Sequence, residues 1–198
     1  MISAELENSS PLGRLALIFN QIGLPSYLSP KDAEVPFEYL LVALDEQPQT
    51  AAKNLLKLVF IEDILNTPGA QGEEVQHPER LGRFATLQFY LEQPLKLPTA
   101  RLLDTYRLVS ALSSLMPNGA LVLNEAEKNS LVYYSHTLMM RPDSLDLGPV
   151  IDLIEQTRFF LNRFLPKIHE FTSSAKSLKQ ILAETQKALV EATQPPAP

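Results

Sequence analysis

Apolar residues recur with two different periods along the 198-residue chain, and each change of period marks a change of element. Leu12, Leu15, Ile18, Phe19 and Ile22 stand three and four apart, which predicts a helix over about Pro11–Ile22 with one stripe on a core. Ser10 is placed to cap it, Pro11 suits its first position, and Gly23 with Pro25 stops it. Prolines at 25, 30 and 36 mark Leu24–Pro36 as a loop. Period two then takes over. Phe37–Asp45 and Leu55–Ile61 are short apolar runs of strand character. In Arg83–Glu92, Ala85, Leu87, Phe89 and Leu91 alternate with Thr86, Gln88 and Tyr90, as on a sheet covered on one side. Between these runs, Asn66–Gly82 contains two prolines and three glycines and reads as a long, mobile loop.

Helical spacing returns after Pro98-Thr99, with Leu102, Leu103, Tyr106, Val109, Leu112 and Met116, and ends at Pro117-Asn118-Gly119. Ala120–Leu123 and Leu131–Leu138, joined by the polar Asn124–Ser130, predict a hairpin. A third helix is expected from Gly148-Pro149 through Leu165, with a kink or break at Pro166. Ser174–Thr193 forms a further amphipathic helix, with Leu178, Ile181, Leu182, Thr185, Leu189 and Ala192 on one stripe. The expected fold is therefore α+β: a three-strand meander plus a hairpin in an antiparallel sheet flanked by helices, ordered αβββαββα, with an extra C-terminal helix. One domain over residues 1–172 is followed by this helix at 173–193 and a Pro-rich tail at 194–198 expected to be disordered.

Composition narrows the functions. Hydrophobic residues make up 45% and charged residues 20%, which suits a folded domain of this length. There is no cysteine, so disulfides and thiolate chemistry are excluded. No apolar run approaches the roughly 18 residues that span a bilayer, and the start of the chain lacks the pattern of a secretory signal, so a cytoplasmic protein without membrane insertion is expected. The net charge is −6, and Lys31–Glu79 alone holds ten acids against three lysines. Elsewhere the charges nearly cancel. No basic face is available to displace counterions from phosphates, so nucleic-acid binding is not expected.

Catalytic patterns are missing. His77, His136 and His169 have no second ligand at a metal-binding spacing. There is no phosphate-binding glycine motif, nucleophile elbow or SxxK sequence. Glu62-Asp63 and Glu73-Glu74 are neighbours whose carboxylates do not converge for acid–base work. Neither an enzyme nor a cofactor is expected. The aromatic pairs Tyr133-Tyr134 and Phe159-Phe160 read either as core with one surface ring or as anchors for a partner. The stripe Leu178–Ala192 either packs on its own sheet or serves another chain.

The run Leu15-Ala16-Leu17-Ile18-Phe19…Ile22-Gly23-Leu24, the strand Arg83–Glu92, and the stretch Gly119–Leu138 leading past Leu145 into Leu153–Leu165 resemble the YbjN-like family and its type III secretion chaperone-like fold. The likeness is one of pattern over about residues 10–170. It implies a small acidic protein that dimerises and holds an extended segment of a partner against its sheet and flanking helices, and it supplies no catalytic residue. The long Asn66–Gly82 loop and the helix after Ser174 depart from the family pattern. The expected function is a chaperone-like or regulatory protein-binding module, by that resemblance a homodimer, with Tyr134, Phe159, Leu178, Ile181, Leu182 and Leu189 as candidate partner contacts. The alternatives are an assembly component docking through its C-terminal helix, or a small-ligand binder.

Overall fold

The computed structural model describes residues 9–45, 54–65, 85–125, 130–141 and 146–194. The elements are α1 (Pro11–Gln21), β1 (Ser26–Ser29), β2 (Tyr39–Ala43), β3 (Leu55–Phe60), the short helix α2 (Ile61–Leu65), β4 (Ala85–Leu95), a 3-10 turn (Thr99–Arg101), α3 (Leu102–Ser113), β5 (Ala120–Asn124), β6 (Ser130–Met140), α4 (Leu147–Ser173) and α5 (Leu178–Thr193). Six strands form one sheet in the order β1-β2-β3-β4-β6-β5. The α+β class, with an antiparallel sheet flanked by helices, is as expected. Among the described residues, no helix is long and apolar enough to cross a membrane.

The chain divides into two compact units, Met1–Leu91 with Ser135–Ile154, and Glu92–Tyr134 with Glu155–Pro198. In the first unit, Ser10 caps α1 as expected, its Oγ accepting the Gly13 N–H at 3.0 Å. The helix ends in a Schellman motif. Gly23 takes φ +81, and the Leu24 N–H reaches the Phe19 carbonyl at 2.8 Å. Leu12, Leu15, Ala16 and Phe19 are buried, giving α1 its core stripe.

The meander has four strands, not three. Leu24–Pro36 is not wholly a loop, because Ser26–Ser29 pairs with β2. The Asn20 side chain holds the start of this strand at both backbone groups, accepting the Ser26 N–H at 3.0 Å and donating to the Ser26 carbonyl at 3.2 Å. The residues after Phe60 form α2, where both carboxylate oxygens of Glu62 accept the Thr86 N–H at 3.0 Å. That adds one strand and one short helix to the expected order. The Asn66–Gly82 loop, His77, Glu73, Glu74 and the last four residues of the tail lie outside the described residues.

In the second unit, Gly119 closes the turn after α3 with φ +73. A kink or a break is expected at Pro166; helix α4 runs through it as one helix, so there is no break. Pro166 is exposed on the outer side of the helix. The buried residues Thr157, Leu161, Phe164, Ile168 and Phe171 give this part of α4 its core face.

Candidate functional site

Register across the first unit's meander sorts its side chains into two faces. Leu28, Leu40, Leu58 and Phe89 lie opposite one another on consecutive strands. Leu40, Leu58 and Phe89 are each 0% exposed, so this row belongs to the core. The adjacent row, one residue along, is Tyr27, Leu41, Lys57 and Tyr90. Strand alternation turns it to the other face. Tyr27 is 65% exposed, while Leu41, Lys57 and Tyr90 are half-buried.

This face is rich in aromatic and aliphatic groups and is covered at one end, where Val59, two residues beyond Lys57 on β3, is buried. Beside the row stand Tyr39 and the exposed Leu55. The Lys57 Nζ lies 4.3 Å from the centre of the Tyr39 ring and 6.0 Å from that of Phe37. A cation so placed is held by the ring's quadrupole and keeps its charge available on an apolar face. The arrangement offers large rings, one cation and the edge strand β1, which suits protein surface better than a small molecule.

The residues singled out from sequence fall elsewhere. Tyr134 is 0% exposed, its hydroxyl 3.1 Å from Thr157 Oγ1, and burial holds its phenol above the usual value despite that bond. Ile181 is also 0% exposed. Both are core, which corrects their assignment as contact residues: neither has surface to offer in this state. Phe159 is half-buried, edge-on to Phe160 at 5.1 Å and covered by the Arg163 guanidinium at 3.8 Å. Leu178, Leu182 and Leu189 are half-buried on α5. The structure thus does not gather the six into one surface.

Sequence reasoning missed Tyr27, Tyr39, Leu41, Lys57 and Tyr90 as a group. One signal was present: Tyr39, Leu41 and Tyr90 occupy the face opposite the core positions of their strands, where polar residues were to be expected. Tyr27 gave none, because its strand was read as loop.

In the second unit, an open groove of about 420 Å³ runs between α3 and β5, lined by Tyr106, Ser110, Ser113 and Val122 among others. Ser113 Oγ accepts the Leu121 N–H at 3.1 Å. Tyr106 is the one ionisable group lining it, so the groove lacks the converging acids and bases that chemistry on a small ligand needs. His136 is half-buried with its ring 6.2 Å from Phe89, and burial pushes its pKa down; His169 is exposed. Among the described residues, no three His, Asp or Glu side chains are grouped to hold a metal ion.

The fold and this face define an antiparallel α+β protein with an aromatic sheet surface. No family model matches the chain, and no curated protein matches it.

Proposed function

We propose that this chain is a non-catalytic, chaperone-like or regulatory module of the cytoplasm that holds a segment of a partner protein at the Tyr27 edge of this face of its meander. The observation that carries the reading is the row Tyr27–Leu41–Lys57–Tyr90, in register across four strands and ending on a tyrosine that is 65% exposed. Interface anchors are enriched in such rings, and an edge strand beside them gives an extended segment backbone groups to pair with. The resemblance to YbjN-like proteins points the same way and adds a homodimer to the proposal.

A photo-crosslinking residue at position 27, in the full chain inside its own cells, tests this. We expect one discrete protein adduct that disappears when Leu41 is replaced by lysine, and no such adduct from a crosslinker at Lys187, whose side chain is 78% exposed. Equal adducts from both positions, or none from position 27, would remove the proposal.

A further inference from the structure

Helix α5 is attached to its unit unevenly. At its root, Arg101 Nη1 donates to the Phe171 carbonyl at 3.1 Å and the Lys176 carbonyl at 2.8 Å, and the guanidinium stacks 4.6 Å from the Phe171 ring centre. The backbone is therefore pinned up to Lys176. The helix then begins afresh with a complete capping box. Ser177 Oγ accepts the Gln180 N–H at 3.3 Å, and Gln180 Oε1 accepts the Ser177 N–H at 2.8 Å. Both bonds lie within the helix's own first turn, so neither is lost if the helix moves.

The body is held more lightly. Only Ile181 and Thr185 are buried among the sixteen residues of α5, and the Thr185 hydroxyl donates back to the Ile181 carbonyl at 2.8 Å. By contrast α1, with eleven residues, buries Leu12, Leu15, Ala16 and Phe19. What α5 has instead is a closed ring of four charges. Lys167 and Glu170 come from α4, Lys176 from the connecting turn and Glu184 from α5. Lys167 meets Glu170 at 2.8 Å and Glu184 at 3.0 Å; Lys176 meets Glu184 at 2.8 Å and also pairs with Glu170. Each cation touches both anions, and all four side chains are 25–40% exposed.

We propose that α5 is a hinged arm, opening as an intact helix about Lys176–Ser177, with the four-charge ring as its latch and Arg101 as the fixed side of the hinge. A partly exposed ring fixes the closed position but is screened by salt, so it holds without locking. The sequence of α5 is rich in Ala, Leu, Lys, Gln and Glu, which favours helix without tertiary support. Opening uncovers Ile181 and Thr185, which join Leu178, Leu182 and Leu189 in one amphipathic stripe. This inference is independent of the sheet-face proposal.

The full chain has no cysteine, so Arg107→Cys and Lys187→Cys place two spin labels at will. These side chains are 60% and 78% exposed, on α3 and α5. Pulsed electron–electron distance measurements should show a second, longer population. It should grow about threefold to tenfold between low salt and about 1 M NaCl, and by a similar factor in Glu184→Gln at low salt, with helical circular dichroism unchanged. A single distance that ignores salt and Glu184→Gln would overturn the hinge. So would a longer distance accompanied by loss of helical signal, because α5 would then be melting rather than swinging.

Discussion

The two units differ in how they treat charge. The one built from Met1–Leu91 and Ser135–Ile154 holds fifteen acidic side chains against seven basic, whereas the other holds eight against ten. In the second unit much of the charge is spent internally, in the Lys167–Glu170–Lys176–Glu184 ring and on the carbonyls bound by Arg101. The first unit leaves an acid surplus and sets a single lysine among aromatic rings on its sheet face. Its interior is apolar along the Leu40–Leu58–Phe89 row, while the second unit buries a polar pair, Tyr134 with Thr157. An apolar row specifies a fold through shape alone. A buried hydrogen bond adds a requirement of direction, and makes the second unit less forgiving of change.

The same substitution in each unit breaks or sharpens this contrast most strongly. An alanine Cβ at position 119 would lie 2.4 Å from the Tyr134 ring, at a φ of +73. Gly119→Ala should therefore cost about 2–5 kcal/mol, combining backbone strain with overpacking. At Gly23, φ is +81 but nothing lies within 4 Å. Gly23→Ala should cost only about 1–2 kcal/mol, the backbone share. Urea denaturation of both variants gives the difference, and equal losses would show that the crowding at Tyr134 is relieved by movement.

Next in size is Tyr134→Phe, which removes the hydroxyl facing Thr157 and should cost about 1 kcal/mol. Thermal unfolding checks it, and an unchanged midpoint would mean the pair confers no net stability.

The smallest effect is the pH dependence contributed by the four-charge ring of the second unit. Lys167 and then Lys176 hold the Glu170 carboxyl down at about 2, and the Glu184 carboxyl is lowered by the same two lysines. Carboxylates held low in the folded state contribute fully above their unfolded value near 4.5, and lose that contribution as pH falls toward 2. Denaturant midpoints of the wild type and Glu170→Gln should therefore differ at pH 6 and converge by about pH 2. Parallel curves would show that the ring contributes through packing instead of charge.

Much of this fold was legible because local signals agreed. Ser10, Pro11 and Gly23 bracket α1 where the apolar stripe begins and ends, and the alternation through Leu87, Phe89 and Leu91 marks β4 as half-covered. The misreadings arose where a distant contact overruled local chemistry. Ser26–Ser29 sits between prolines and carries two serines, so it reads as loop until Asn20, six residues back, fixes Ser26 at both backbone groups. Pro166 signals a break, but the long apolar stripe from Val150 to Phe171 carries α4 past it. The candidate surface was least legible. Its members come from four strands, and only the register Tyr27–Leu41–Lys57–Tyr90 makes them neighbours. Sequence favoured adjacent aromatic pairs, where strand alternation sends Tyr134 inward.

Three elements, β4, β6 and α4, each contribute residues to both units, because the division falls at Leu91, Tyr134 and Ile154. This interleaving has a consequence for synthesis. The first unit lacks its Ser135–Ile154 piece until residue 154 has been made, although strands β1–β4 are nearly finished by Leu91. At roughly 5–20 residues per second, the intervening 63 residues take about 3–13 s. For that interval the growing chain carries the meander without its last strand and helix. Vectorial synthesis therefore delivers this protein half-closed, and it is completed by a stretch of chain that arrives late.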